Sequence, residues 1–221
     1  MKITIVGRKD GTLTPEIERD ISKLRYATFA TRLGWDVETF GDQEFDRFDT
    51  LEAQYVVAMN NGLLYGCWRL LPTVGPNMLR DVFPELLGGD DAPSSVEAWE
   101  LSRFAVAGPQ NSAFGFSTVP VEMMLAAVRH ARREQVSLFV TVTTLAMERL
   151  LKHLQLRPRR LGPPLLIGSV RTVALGIDTN RATENALVAA LSMKKTSART
   201  ALPTRFPVRP RYAAQGGAVS V

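Results

Sequence analysis

A strand-like apolar run in the middle of this chain carries two ionisable residues. The run Glu97-Ala98-Trp99-Glu100-Leu101-Ser102-Arg103-Phe104-Ala105-Val106 places Glu100 and Arg103 among residues typical of a central strand. A charge buried without a partner is expensive, so the fold must supply a partner for each. Regular alternation puts Glu100 and Ser102 on one face and Arg103 on the other. One site can therefore use both charges only if the strand bulges or bends.

Further outliers precede this run. Arg25 and Phe29 lie four residues apart on a predicted helix and share one of its faces. Arg69 lies in an apolar strand, where it needs an acidic partner or an anionic ligand, and Glu100 is the expected partner. The alternative to a site is a buried structural ion pair. A long loop contributes one aromatic residue and two acids: Trp35, Asp46 and Asp49.

The combination of these residues matters more than any one of them. Taken alone, each has a structural explanation: a surface arginine, a core aromatic, or a solvated acidic loop. Together, a cation, two carboxylates and two aromatic rings form a set that could hold a small zwitterion bearing a positive charge. We therefore treat them as one candidate binding site.

Hydrophobic periodicity predicts interleaved strands and helices, which indicates an α/β fold with a mixed sheet flanked by helices. Asn60-Asn61-Gly62 predicts a tight hairpin turn between two of the strands. Thr14 and Pro15 are typical of a helix start. Trp35 to Leu51 is predicted to be a long loop, and Pro72 to Ser95 a loop with a short helical turn near Met78. The predicted strands are Lys2 to Gly7, Tyr55 to Met59, Leu63 to Leu71, Ala98 to Val106, Leu138 to Thr143 and Ser169 to Ile177. The predicted helices are Pro15 to Arg32, Val119 to Glu134, Met147 to Leu154 and Asn185 to Leu191.

Length and charge indicate one domain followed by a basic tail. A chain of 221 residues with 45% hydrophobic residues can bury one sizeable core, which we assign to residues 1–192. The tail, residues 193–221, is predicted to be disordered because it lacks apolar periodicity. It holds six basic residues and no acid, leaving 21 basic against 22 acidic residues elsewhere. A nearly neutral body does not favour a nucleic-acid-binding protein. The six basic residues are Lys194, Lys195, Arg199, Arg205, Arg209 and Arg211.

Other classes are disfavoured by what the sequence lacks. No uninterrupted apolar stretch approaches the roughly 20 residues of a membrane-spanning helix. The N-terminus has no signal-peptide pattern, so we expect a cytoplasmic protein. Cys67 is the single cysteine, and two histidines accompany it, so neither an intramolecular disulfide nor a metal site is expected. Cys67 lies in an apolar strand and is expected to be a core residue.

These residues resemble the acyl-homoserine lactone synthases, also called autoinducer synthases. The resemblance covers about residues 1 to 190. The family's strand motif is similar to Cys67-Trp68-Arg69-Leu70-Leu71-Pro72, and its second motif is present from Trp99 to Ala105 as WELSRFA. A match at so many ordered positions is far more specific than one short motif. Eight characteristic positions of the family are present: Arg25, Phe29, Trp35, Asp46, Asp49, Arg69, Glu100 and Arg103.

The resemblance implies a fold similar to that of the GNAT acyltransferases and two substrates, S-adenosylmethionine and an acyl-acyl carrier protein, without a cofactor. The substrate amine attacks the thioester, and its carboxylate then displaces the sulfonium, which closes the lactone and releases methylthioadenosine. We expect Glu100 to remove the amine proton, with Arg69 and Arg103 ordering the site. The expected S-adenosylmethionine site consists of Arg25, Phe29, Trp35, Asp46, Asp49 and Arg103.

The resemblance also places an acyl pocket in the C-terminal half. Thr141 and Thr143 share one face of a predicted strand, where a hydroxyl could favour an oxygen substituent on the acyl chain. Plain β-propensity of threonine is an equal alternative. Ser102, Met123 and Met147 complete the expected pocket, although a core role is the simpler reading of the methionines. An acidic carrier protein would dock on basic residues, unless these form only a solvated face. The expected docking residues are Arg149, Lys152, Arg157, Arg159 and Arg160.

Two rival functions remain open. One is an ordinary GNAT-type N-acyltransferase that uses acyl-CoA, although Gly108 to Ser112 is a poor version of the pyrophosphate loop that such enzymes need. The other is a non-enzymatic module whose basic tail binds nucleic acid or a membrane surface, with a steep salt dependence.

Overall fold

The computed structural model describes residues 1–107 and 118–200, with side chains described as far as residue 193. Its long strands match the predicted ones closely. They are β1 (Lys2–Gly7), β4 (Gln54–Asn60), β5 (Leu63–Pro72), β6 (Ala98–Val106), β7 (Leu138–Thr144) and β10 (Val170–Asp178). The short strands are β2 (Thr39–Phe40), β3 (Gln43–Glu44), β8 (Arg159–Arg160) and β9 (Leu165–Ile167). The α-helices are α1 (Pro15–Tyr26), α2 (Met78–Asp81), α3 (Val119–Arg133), α4 (Leu145–His153) and α5 (Arg181–Thr200).

One large sheet runs in the order β1-β4-β5-β6-β7-β10-β8, with β9 also paired to β10. Its pairs are antiparallel except β6 and β7, which run parallel. The parallel pairing extends only from Ala98 opposite Leu138 to Glu100 opposite Val140. Beyond that point the hydroxyl of Thr141 donates to the carbonyl oxygen of Leu101 at 2.8 Å, so a side chain replaces the next ladder contact. The sheet thus opens into a fork directly after Glu100.

Helices cover both faces of the sheet. On one face, α1 packs over β5 and β6, while α2 and a 3₁₀ helix (Pro84–Leu87) pack farther along. On the other face, α3 contacts β1, β4 and β5, and α5 packs against α3. Arg69 of β5 is paired with Ser102 of β6, and Glu100 lies two residues before Ser102 in the same strand. The three side chains therefore share the sheet face that α1 and α2 cover.

Local sequence signals explain where the site elements begin and turn. Thr14 caps α1 by accepting from the Ile17 N–H at 3.4 Å, as predicted. The predicted helix to Arg32 is correct in extent, but its last turn, Ala27–Arg32, widens into a π-helix. Asn61 and Gly62 both have positive φ angles, 49° and 80°, which confirms the primed turn between β4 and β5.

Several features were not predicted. The long loop contains the β2–β3 hairpin, and a 3₁₀ helix follows α2. Helix α5 continues to Thr200, into the segment assigned to the tail; residues 201–221 and the Gly108 to Ser112 loop lie outside the described residues. Within the described ranges, no helix is both long and apolar enough to cross a membrane.

Candidate active site

A bulge in β6 brings Arg103 to the face that carries Glu100. Cys67 pairs with Ala105 and Arg69 pairs with Ser102, so two residues of β6, Arg103 and Phe104, stand opposite one residue of β5. Arg103 has a φ of 56°, the left-handed conformation that non-glycine residues seldom adopt. The β-bulge that one site needs in order to use both Glu100 and Arg103 is therefore present.

Arg69 is fully buried and binds acids from the long loop. Its Nη1 donates to Asp49 Oδ1 at 2.8 Å and also to Asp46 Oδ1, and its Nη2 donates to Asp46 Oδ2 at 3.1 Å. The expected ion pair of Arg69 with Glu100 is wrong. Arg69 stands opposite Ser102, whose hydroxyl accepts from Nε at 3.1 Å, whereas Glu100 stands opposite Leu71.

Two more arginines and a third acid complete this network. Arg25 of α1 donates from Nη1 to Asp49 Oδ1 at 2.7 Å and from Nε to Glu44 Oε2. Arg103 donates from Nε to Glu44 Oε1 at 3.0 Å and forms an ion pair from Nη2 with Asp46 Oδ2 at 2.9 Å. Glu44 was missed by the sequence analysis. The sequence offers no signal that separates it from the other acids of the same loop segment, Asp46 and Asp49.

The network is electrically balanced. Three guanidinium groups meet three carboxylates, all of them largely buried. Burial alone would raise the pKa of Asp49, but Arg25 and Arg69 outweigh it and hold that pKa well below its ordinary range. Tyr55 also donates to Asp49 Oδ1, at 2.7 Å. Every carboxylate oxygen of Asp46 and Asp49 accepts from a protein donor.

Two aromatic rings form a wall beside the network. Phe29 is buried, and its ring stacks on Trp35 with centroids 5.3 Å apart. The guanidinium carbon of Arg103 lies 5.4 Å from the centroid of Phe29. Trp35 is 46% exposed, so its ring lies at the protein surface rather than in the core. A cation placed against these rings would gain cation–π stabilisation.

Glu100 lies at the inner end of the site with one oxygen engaged. Its Oε2 accepts from the Leu79 N–H at 2.7 Å, at the start of α2. Its Oε1 has no hydrogen-bond partner among the described residues. Burial raises the pKa of Glu100, although the backbone N–H groups of Leu79 and Met78, the charge of Arg69 and the nearby Ser102 hydroxyl partly oppose the shift. Next to it, the sulfur of Met78 lies 3.4 Å from Nη2 of Arg69 and from Nη1 of Arg103. A buried carboxylate with a free oxygen is suited to accept a proton.

Known proteins match this chain over most of its length. The autoinducer synthase family profile matches residues 13–187, which include the whole ionic network. An acyl-homoserine-lactone synthase of Pseudomonas aeruginosa is 39% identical over 188 residues, covering 84% of this chain and 93% of the relative.

This chain belongs to the autoinducer synthase family. As a member, it is an acyltransferase of the acyl-homoserine lactone synthase type. The crystal structure of TofI in a ternary complex with an inhibitor and MTA is 34% identical, with a TM-score of 0.73 over 85% of this chain and 97% of that one. The structure of BjaI, a CoA-dependent acyl-homoserine lactone synthase, with MTA shares the fold at 21% identity, with a TM-score of 0.79 over 86% and 89%. The expected α/β, GNAT-like class is confirmed.

The residues expected to form the acyl pocket of this autoinducer synthase divide between the two faces of the sheet. Ser102 lies with Arg69 on the ionic face. Thr141 and Thr143 stand opposite Leu175 and Val173, which belong to the apolar cluster under α3. Met123 is fully buried in the same cluster, and Met147 packs against it. The fork between β6 and β7 lies between the two groups.

The expected docking residues are less cationic than the sequence suggests. Glu148 is buried and accepts from Arg160 at 2.8 Å and from Lys152 at 2.7 Å; these bonds, Arg160 first, lower its pKa to about 2. Arg159 pairs with Asp178 at 2.9 Å. Arg149 and Arg157 are exposed and form no ion pair within the described ranges. Three of the five expected docking residues are therefore paired with acids, and two carboxylates, Glu148 and Asp178, compensate two of the five positive charges.

Cys67 is buried under the network, as expected for a core residue. Burial raises the pKa of its thiol to about 12, which leaves almost no thiolate at neutral pH. In the described parts of the chain, no group of three or more His, Cys, Asp or Glu side chains is arranged to hold a metal ion.

Proposed function

We propose that this autoinducer synthase makes an acyl-homoserine lactone from S-adenosylmethionine and an acyl group carried by acyl carrier protein. The observation that carries the proposal is the free oxygen of buried Glu100 beside a balanced network of three arginines and three acids. Such a site offers a base for the amine and cations for a carboxylate in one enclosure. The exposed Trp35 ring stacks on Phe29 beside this network.

The first step is acylation of the substrate amine. Glu100 Oε1 accepts a proton from the ammonium group, which frees the nitrogen lone pair. The nitrogen forms a bond to the thioester carbon, the carbon–sulfur bond breaks, and the carrier thiol leaves with the nitrogen's second proton. The raised pKa of Glu100 makes it a stronger base than an exposed glutamate. The ladder between β6 and β7 ends at Glu100, and this supports placing the thioester beside that residue.

The second step is ring closure. A carboxylate oxygen of the substrate forms a bond to the γ-carbon, the γ-carbon–sulfur bond breaks, and sulfur keeps the electron pair as neutral methylthioadenosine. No side-chain nucleophile is needed, which agrees with the buried thiol of Cys67.

The ionic network suggests a division of labour. Protein donors already occupy the oxygens of Asp46 and Asp49, so these acids hold the arginines rather than contact the sulfonium directly. We assign the sulfonium to the rings of Phe29 and Trp35 and the carboxylate to the guanidinium groups.

The acyl donor and the nucleoside product can be tested in one assay. The structure of TofI, at 34% identity, contains MTA, while BjaI is described as CoA-dependent. We expect purified protein with S-adenosylmethionine to release lactone and methylthioadenosine in equal amounts, with a higher kcat/KM for acyl-carrier thioesters than for matched acyl-CoA. Glu100→Gln should lose at least about a hundredfold in rate, since a general base contributes roughly that much. Glu97→Gln is the matched control, because Glu97 is exposed in the turn immediately before the same strand.

Two outcomes would contradict this proposal. Acylation of other amines from acyl-CoA without methylthioadenosine release would favour the ordinary N-acyltransferase. Equal losses of rate in the Glu100→Gln and Glu97→Gln variants would show that Glu100 is not the general base.

A further inference from the structure

Tyr55 contacts the ionic network from the sheet. It lies in β4 directly opposite Arg69 in β5, and it is only 4% exposed. Its ring packs in the apolar cluster under α1, while its hydroxyl donates to Asp49 Oδ1 at 2.7 Å. Neither strand pairing nor the apolar cluster requires a hydroxyl at this position, since phenylalanine would fill the same space.

The oxygen that Tyr55 contacts is the one that two arginines share. Asp49 Oδ1 also accepts from Arg25 at 2.7 Å and from Arg69 at 2.8 Å. Two cations drawn to one oxygen repel each other, so their spacing depends on where that oxygen is held. Asp49 lies in irregular chain between β3 and β4, where its backbone N–H donates to the Asp46 carbonyl and its own carbonyl accepts from the side chain of Arg8. Tyr55 is the donor that ties this acid to a regular strand without adding charge.

Tyr55 is suited to this task over a wide pH range. Burial and then the charge of Asp49 raise the pKa of its phenol far above neutrality, so the group stays protonated and donates. A lysine at this position would add a fourth cation to three acids, whereas a phenol leaves the balance intact.

We propose that Tyr55 is a positioning residue for S-adenosylmethionine binding, acting through Asp49 on the guanidinium groups of Arg25 and Arg69. The inference rests on the proposed function of the same site and assigns to it a residue outside the eight characteristic positions. Tyr55 contacts no reacting atom in this account; it fixes the spacing of two groups that do.

The test compares Tyr55→Phe with the matched control Tyr65→Phe. Tyr65 lies in β5, packs toward the opposite face, and its hydroxyl has no hydrogen bond among the described residues. Calorimetric titration with S-adenosylmethionine alone should show Tyr55→Phe binding roughly fivefold to tenfold more weakly, the effect of losing one hydrogen bond of ordinary strength. Tyr65→Phe should bind like the wild type. In turnover, KM for S-adenosylmethionine should rise, with KM for the acyl donor and kcat within about twofold.

A double mutant tests whether Tyr55 acts through Asp49. Adding Tyr55→Phe to Asp49→Asn should weaken binding less than it does in the wild-type background. Unchanged affinity in Tyr55→Phe, fully additive effects, or a loss only in proportion to the unfolded fraction would each overturn the inference. Wild-type protein that binds no S-adenosylmethionine would instead refute the proposed function.

Discussion

Burial leaves one oxygen of Glu100 without a hydrogen-bond donor in the described part of the protein. An unpaired buried acceptor destabilises a fold, and an ionised one does so more strongly. The residue is explained better by chemistry than by packing, because a neutral side chain of similar size would fit the strand at lower cost. At this position the requirements of the proposed reaction and of stability oppose each other.

Glu100→Gln should therefore stabilise the protein while it removes activity. Burial raises the pKa of Glu100 in the fold, so ionisation opposes folding at any pH above the unfolded pKa of about 4.3. We expect the variant to exceed the wild type by about 1 kcal/mol in unfolding free energy near pH 8. Below the unfolded pKa the carboxyl is neutral in both states, and the gain should vanish.

Thermal or urea unfolding at both pH values measures this difference. The control is Glu97→Gln, whose exposed side chain should change stability by less than about 0.5 kcal/mol at either pH. A Glu100→Gln variant less stable than the wild type near pH 8 would show that the buried, ionised carboxylate does not destabilise the fold.

Single residues also mark what the sequence could reveal. Glu100 and Arg103 stood out because charges are rare in apolar strands, and the bulge that their joint use needs is present. The predicted partner of Arg69 was wrong, because the sequence does not show how close β5 lies to the loop that carries Asp46 and Asp49. Glu44 was missed because an exposed acid and a buried one look alike until the fold places arginines around it.

At the scale of elements, α2 and the adjoining 3₁₀ helix support Glu100 from outside the network. Leu79 of α2 donates to Glu100, and the 3₁₀ helix follows within a few residues. That helix packs tightly against the chain after β8. A Cβ atom added at Gly162 would lie 2.2 Å from the carbonyl oxygen of Leu86, which is backbone and cannot swing away. Gly162 is therefore needed for the close approach.

Gly162→Ala should destabilise the fold by about 3 kcal/mol, a large value typical of forced backbone movement. Because displacement of the 3₁₀ helix would disturb α2, lactone synthesis should also fall in the fraction that remains folded. Urea unfolding and a lactone assay measure the two effects. Gly75→Ala is the matched control, since the nearest atom to its added Cβ would be 3.8 Å away. Equal stability of the two variants would contradict the tight packing described here.

Elements with strong local signals were predictable. The β4–β5 hairpin followed from Asn61-Gly62, and α1 began where Thr14 can cap it. The 3₁₀ helix and the π-helix of Ala27–Arg32 were not predicted, because their shapes are set by tertiary packing rather than by a periodic pattern.

At the scale of the whole molecule, the fold brings distant segments to one side of one sheet. Helix α1, the long loop, β5, β6 and α2 each contribute to the candidate site. The co-occurrence of the charged and aromatic residues, and then the family resemblance, predicted every one of these segments except α2, whose contact with Glu100 only the fold reveals. The positive charge of the predicted docking patch was overestimated, because a count of charges along the chain does not reveal compensating acids such as Glu148 and Asp178.

The most direct test of the central claim follows the oxygen atoms of the substrate. Purified protein would be given an acyl-carrier thioester and S-adenosylmethionine whose carboxylate carries two heavy oxygen atoms, and the lactone would be analysed by mass spectrometry. If the carboxylate itself displaces the sulfonium, the lactone retains both heavy atoms and one methylthioadenosine appears for each ring. A lactone that has lost heavy oxygen to the solvent, or no lactone at all, would contradict the account.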